Sequence, residues 1–407
     1  MISIVSSSEG RIVMEKVSRY RKMILALMVC AAIVLGAGIA TLATSSQSAL
    51  GTPFPSNFSA DQVQSDYTIS TAEELVNFAA ASGSFDFAGV TIHLISDIDY
   101  SDGYGDVSFS GIGSVTTPFC GTFDGHGYTL RNLYSTTTGL FNVIGSTESP
   151  AVIRDLTVDG ASIAGAEGRA VLVCRFQGNP QDAANNNLIE NVTVSNSTAS
   201  FTGSNCGILV GRCQADEQAI TISGCSVTDC DLICTASSAT NVARWGMVMG
   251  KDVSLGYSRI LNCTVTGSDI LSTGCNLDRT GLVLGCAIGA TQIDGCTVKT
   301  SSITSGLVSA TVTQELGGIM GCLQSGYGSI TNCQVGTTTI TTKGLCSYVG
   351  LLAGRIYGGT VENCAVSSAR ILGAYEDASA QAEYLGGMIG GIDNNKAAIG
   401  GCKVAVS

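Results

Sequence analysis

Few side chains in this sequence are of a kind that does chemistry. There are 2 histidines, His93 and His126, 17 cysteines, and only 13% charged residues. A zinc peptidase needs His-Glu-x-x-His on a helix so that two imidazoles converge on the metal, and no such run occurs. Ser and Thr are abundant, but no histidine is placed to activate one as a nucleophile. His126 follows Asp124 within Gly125-His-Gly127, residue types that build a turn with the histidine at its tip. Asp97, Asp99, Asp102 and Asp106 crowd one Gly-containing loop, and Ca2+ is the natural cation for oxygen ligands so arranged. That loop misses the EF-hand register, with Asp102 where Gly is required, and solvated turn carboxylates are the plainer reading. No cofactor is expected beyond that calcium alternative. Tyr257, Tyr327 and Tyr357 each stand three or four residues before a recurrent apolar phrase. On one face of a rod such rings would stack on sugars or on another protein.

The recurrent phrase decides what positions these residues. It reads Ile or Val, any residue, then Asn, Gly or Asp, then usually Cys, any residue, and Val. Its first positions are Ile153, Ile189, Ile222, Ile260, Ile293, Ile330, Val361 and Ile399. Eight copies at intervals of 31 to 38 residues are a structural repeat. A second phrase runs between them with the same period, as in Gly207-Ile-Leu-Val-Gly211 and Gly317-Gly-Ile-Met-Gly321. Apolar residues fall at offsets 0, 3 and 5, which fits neither a helix nor a flat alternating strand. The odd step needs a kink, and its residues are Asp155, Asn191, Gly224, Asn262, Gly295, Asn332, Asn363 and Gly401, all types that tolerate positive φ. The spacing therefore predicts an all-β fold, a single-stranded parallel β-helix (solenoid) of about eight coils, each with about three short strands. At ~4.8 Å per coil the rod would be about 40 Å long.

Cys225, Cys263, Cys296, Cys333, Cys364 and Cys402 occupy one slot in six successive coils, where Leu156 and Val192 stand in the first two. The slot is apolar, and parallel Cβ vectors hold stacked sulfurs apart, so a ladder of packed thiols is expected rather than disulfides or a metal stripe. Cys225, Cys230 and Cys234, near Cys206 and Cys213, form a tighter group where a disulfide or zinc site stays open. Many unpaired thiols in an exported protein would suit an anaerobic setting.

Export is read from the N-terminus. Lys16, Arg19, Arg21 and Lys22 precede an uncharged run from Met23 to Ala43, the layout of a secretory signal, long enough also to serve as an uncleaved signal anchor. Residues 1–49 are assigned to it and 50–65 to a linker. Removing residues 1–43 takes away five basic and two acidic side chains and leaves a net charge of −15. With no basic cluster in the remainder, nucleic acid is excluded as a partner and a polyanionic substrate disfavoured.

Residues 66–135 read as an N-terminal cap and first strands, and 136–407 as the β-helix repeats. The cap begins with an amphipathic helix at Ile69-Ser-Thr-Ala-Glu-Glu-Leu-Val-Asn-Phe-Ala81, followed by Leu94-Ile-Ser-Asp-Ile-Asp99, by Phe123-Asp-Gly-His-Gly-Tyr-Thr-Leu130, and by Gly139-Leu-Phe141. Together with the Gly-Gly-Ile-Met-Gly repeats, this ordered set resembles the bacterial surface proteins bearing the GLUG motif, over roughly residues 66–407. The resemblance implies a right-handed parallel β-helix exported by a bacterium, often within large adhesin-like or cell-wall proteins and beside some immunoglobulin A peptidases. It does not by itself imply catalysis.

Parallel β-helices also house pectin-degrading enzymes, and Gly125-His-Gly127 resembles the Gly-His-Gly of polygalacturonases. Those enzymes also need an Asn-Thr-Asp, an adjacent Asp pair and an Arg-Ile-Lys in later coils, and none of the three occurs. The expectation is an exported, non-enzymatic β-helix at the cell surface, a stalk or adhesion module whose partner is a glycan or a host or cell-surface protein. The alternatives are a carbohydrate-active hydrolase or lyase, to be recognised by carboxylates clustered in one groove, and a self-associating structural protein. The last is raised by a final coil that stops at Ser407 without a capping or sorting motif, which also suits a truncated chain.

Overall fold

The computed structural model describes residues 50–177, 186–213, 219–237, 241–253, 258–272, 274–306, 314–324, 326–342, 348–373, 384–393 and 397–405. The chain divides into two units, 1–52 and 53–407, of which the second carries the fold. The export segment expected over residues 1–49 lies outside the described residues. Among those described, no helix is long and apolar enough to cross a membrane.

Each corner phrase begins in a short strand that pairs in parallel with its counterpart one coil away. Ile153, Ile189, Ile222, Ile260, Ile293, Ile330, Val361 and Ile399 stand in direct register. The valines that close the phrase, Val158 through Val404, do the same in a second sheet. The protein is thus an all-β parallel β-helix. Its first sheet continues toward the N-terminus through Phe123, Ile92 and Tyr67. Three irregular coils therefore precede the eight regular ones, and at ~4.8 Å per coil the ladder is about 50 Å long.

All eight kink residues have positive φ, from 51° at Asp155 to 67° at Gly295. A second left-handed corner follows five residues later in the coil, at Gly160, Asn196, Asp229, Gly267, Thr300, Thr337 and Ser368. Between the two corners lies a three-residue strand such as Ser226–Thr228, and Ile222, Cys225 and Val227 are all 0% exposed. The second corner is one reason the coil has more strands than the three expected. From Cys206 onward a coil has five: Cys206–Gly207, Val210–Cys213, Ile220–Ser223, Ser226–Thr228 and Asp231–Cys234. The other reason is the glycine phrase, where the chain folds back so tightly that a Cβ on Gly246 or Gly281 would overlap the carbonyl oxygen of Met249 or Leu284.

The helix Ala72–Ala81 forms as its sequence predicts. Thr71 Oγ1 accepts a hydrogen bond from Glu74 N at 3.2 Å, and Glu74 Oε2 accepts one from Ser70 N at 2.6 Å, which together satisfy two donors at the helix start. Leu75, Phe78 and Ala79 are buried, and the Phe78 ring meets those of Phe54, Phe87, Phe119 and Phe123. This aromatic cluster anchors the three irregular coils.

Candidate functional site

Asp97, Asp99 and Asp102 border one depression beside Glu73, but among the described residues they do not form a group of three metal-ligand atoms. Asp97 pairs with Arg131 Nη1 at 2.9 Å and accepts from Thr129 N, also at 2.9 Å. Asp99 accepts from Ser101 Oγ at 2.6 Å and from Asn132 Nδ2 at 2.9 Å, bonds that hold its carboxyl below the usual range, Ser101 contributing most. Asp102 and Asp106 remain exposed. Asp97 and Asp99 thus serve to fasten the next coil. Tyr257 lies outside the described residues. Tyr327 is 87% exposed, but Tyr357 sits in another row, where its hydroxyl donates to Glu315 Oε1 at 3.2 Å. These two rings therefore do not make a common stripe.

The thiol ladder is present. Cys225, Cys263, Cys296, Cys333 and Cys364 are buried and Cys402 is half-buried, all as free thiols. Each sulfur donates to the carbonyl two residues earlier, for example Cys225 to Ser223 O at 3.3 Å and Cys364 to Glu362 O at 3.3 Å, so the corner uses the weak S–H donor. The tighter group expected around Cys225, Cys230 and Cys234 does not assemble, because successive sulfurs enter different slots of the coil. Cys234 instead meets Cys275 one coil away, with the sulfurs 2.7 Å apart. Burial pushes Cys230 up to about 11 and Cys206 and Cys213 up to about 12.

The protein's two histidines, 33 residues apart in sequence, are brought together. His93 lies on the strand Thr91–Leu94, in register with Asp124 on the next coil, and His126 follows at the corner. His93 Nδ1 and His126 Nε2 are 2.8 Å apart, with the rings 22° from parallel. Each outer nitrogen is turned to a carboxylate: His93 Nε2 lies 3.2 Å from Asp66 Oδ1, and His126 Nδ1 lies 3.6 Å from Asp124 Oδ1. Asp124 is 3% exposed, and its Oδ2 accepts from Arg154 Nε at 2.8 Å. Hydrogen bonds from Ser65 first, then from His93, hold the Asp66 carboxyl low. His126 has φ 48° and so is the turn tip expected. That tip is tied to the next coil by Gly125 N to Arg154 O at 2.9 Å and Gly127 N to Asp155 O at 2.6 Å. Among the described residues, His93, Asp124 and His126 are the group with metal-ligand potential, their ligand atoms all within 4.8 Å of one another. The sequence signal for this meeting was the register of Ile92 with Phe123, which places His93 beside Asp124.

A second polar cluster was not foreseen. Glu315, 1% exposed, accepts from Arg279 Nε and Arg355 Nη1, both at 3.3 Å. The Arg355 guanidinium also pairs with Asp393 and lies over the rings of Tyr348 and Tyr357, at 4.1 and 4.4 Å from their centroids. Burial is the main cause that raises Asp278 to about 6, only partly offset by Arg279. Two carboxylates thus share one wall of the rod, and Arg279 reaches both, at 3.7 Å from Asp278 and 3.3 Å from Glu315.

No family model matches the chain. It is 30% identical over 138 residues to halomucin of Haloquadratum walsbyi, a match that covers 30% of this chain and 1% of halomucin. The chain therefore spans a very small part of that relative's length. Among solved structures it is similar to a proposed immunoglobulin A1 protease from Bacteroides ovatus, with a TM-score of 0.48 and 17% identity over 83% of this chain and 85% of that one.

Proposed function

We propose that this chain is an exported, non-enzymatic β-helix of the GLUG-motif kind that serves at the cell surface as a stalk or adhesion module, with a glycan or a surface protein as partner. The observation that carries the reading is the unbroken stacking of outward rows. Positions such as Thr157, Thr193, Ser226, Thr264, Thr297 and Gln334 repeat in register along one sheet and give a long polar face built from a single unit. A repeated surface of this kind suits spacing and multivalent contact rather than a single reaction centre. The likeness to halomucin supports an extracellular place.

The test is a glycan and mucin binding array probed with the chain, alongside assays for reducing ends released from polysaccharides. Binding without turnover is expected. Release of reducing ends that is lost in Asp278→Asn or Glu315→Gln would replace this reading with a carbohydrate-active enzyme centred on that carboxylate pair.

A further inference from the structure

We propose that His93 Nδ1, His126 Nε2 and the Asp124 carboxylate form a binding site for one divalent transition-metal ion of the borderline class, such as Zn2+. The inference is independent of the surface role. It begins with the tautomers. If the outer nitrogens, His93 Nε2 and His126 Nδ1, carry the protons that face Asp66 and Asp124, then both inner nitrogens present lone pairs to each other at 2.8 Å. Two converging lone pairs require a cation between them, either a shared proton or a metal. The Asp66 carboxylate behind His93 is also the arrangement that fixes ring orientation in metal sites and raises ligand basicity.

The dimensions fit an ion after a small movement. Two nitrogens bound to tetrahedral zinc at 2.0–2.1 Å lie ~3.3 Å apart, so the pair must open by about 0.5 Å. His126 can supply that movement, because its side chain is 33% exposed and borders a depression lined by Gly127, Asp155, Leu156, Thr157 and Asn191. The same opening admits water as a further ligand. Asp124 is held through Oδ2 by Arg154, while Oδ1 faces the histidines and accepts from His126 N at 3.0 Å. Two imidazoles select a transition metal over Ca2+ or Mg2+, which take oxygen ligands. No thiol belongs to the group.

The experiment is equilibrium dialysis of the full chain, kept reduced, against Zn2+, with metal and protein both quantified. One equivalent is expected to stay bound. In His126→Asn, chosen because Asn keeps the left-handed backbone, and in His93→Gln, affinity should fall at least 100-fold. Asp66→Asn should lower it about tenfold with the stoichiometry unchanged. Far-UV circular dichroism and metal-free melting points show whether each variant folds, and His126→Asn decides if His93→Gln does not. The Co2+-loaded chain should show visible d–d bands without the strong near-ultraviolet band of thiolate ligation. Failure of the wild type to retain Zn2+, equal retention by a folded His126→Asn, or a thiolate band would each overturn the proposal, the first meaning that the histidines share only a proton.

Discussion

At the scale of the residue, the fold turns on which side chains accept a left-handed backbone. Gly295 has φ 67°, and a Cβ there would press on Asn262 Oδ1 of the coil before. Gly295→Ala should therefore cost about 1–2 kcal/mol in urea unfolding, whereas Asn262→Gly, at φ 53°, adds no strain and should stay within about 0.5 kcal/mol. A second residue-scale test concerns Asp278, whose folded pKa is raised to about 6. A raised pKa means that the fold favours the protonated form. That contribution is complete below the unfolded value near 4 and is lost as pH rises through about 6. Asp278→Asn should then stabilise the protein at pH 7.5, by on the order of 1–3 kcal/mol, and change little at pH 4. Melting curves at the two pH values decide it, and equal shifts at both would mean that the ionised carboxylate is not the costly form.

At the scale of the element, the first corner was legible because its eight occupants are all Asn, Asp or Gly. The second was hidden, since Thr300, Thr337 and Ser368 hold positive φ at three of its positions. β-Branched residues avoid that region, so local propensity argued for continuous strand. Stacking overrode it: Thr300 N donates to Gly336 O at 3.3 Å, and Thr337 N donates to Ser367 O at 3.1 Å, each bond reaching the next coil. The histidine pair was hidden for a related reason. Tyr67 and Phe123 replace the regular Ile in two of the irregular coils, and without that register His93 and His126 read as unrelated. Register also brings Cys234 to Cys275, where the thiol of one can donate to the thiolate of the other. That bond lowers the first ionisation of the pair, on Cys275, to about 7, and pushes the second far up. Because their sulfurs lie 2.7 Å apart, brief treatment with diamide should join 234 to 275 before any ladder cysteine reacts. Peptide mapping that found the first cross-link within the ladder instead would contradict this ordering.

At the scale of the whole molecule, four buried thiols outside the sulfur ladder set a limit on the alkaline side. Cys120 and Cys230 are raised to about 11, and Cys206 and Cys213 to about 12, in each case chiefly by burial. In the unfolded chain these groups ionise near pH 9, so between pH 9 and 11 the folded state binds more protons than the unfolded one. Stability must then fall as pH rises, by about 1.4 kcal/mol per pH unit for each such thiol. The acidic side chains do not add to this trend, because they are already ionised throughout that range. Urea midpoints measured under reducing conditions from pH 8 to 10.5 should decline steeply. Cys206→Ala and Cys230→Ala should each make the decline shallower by the equivalent of one proton, even though each lowers stability at pH 7.5 by removing buried volume. Lys and Tyr also titrate in this range, but they are common to wild type and variants, so the difference in slope isolates the thiol. An unchanged slope in both variants would mean that these sulfurs reach water in the native state and that the core is looser than the stacked coils require.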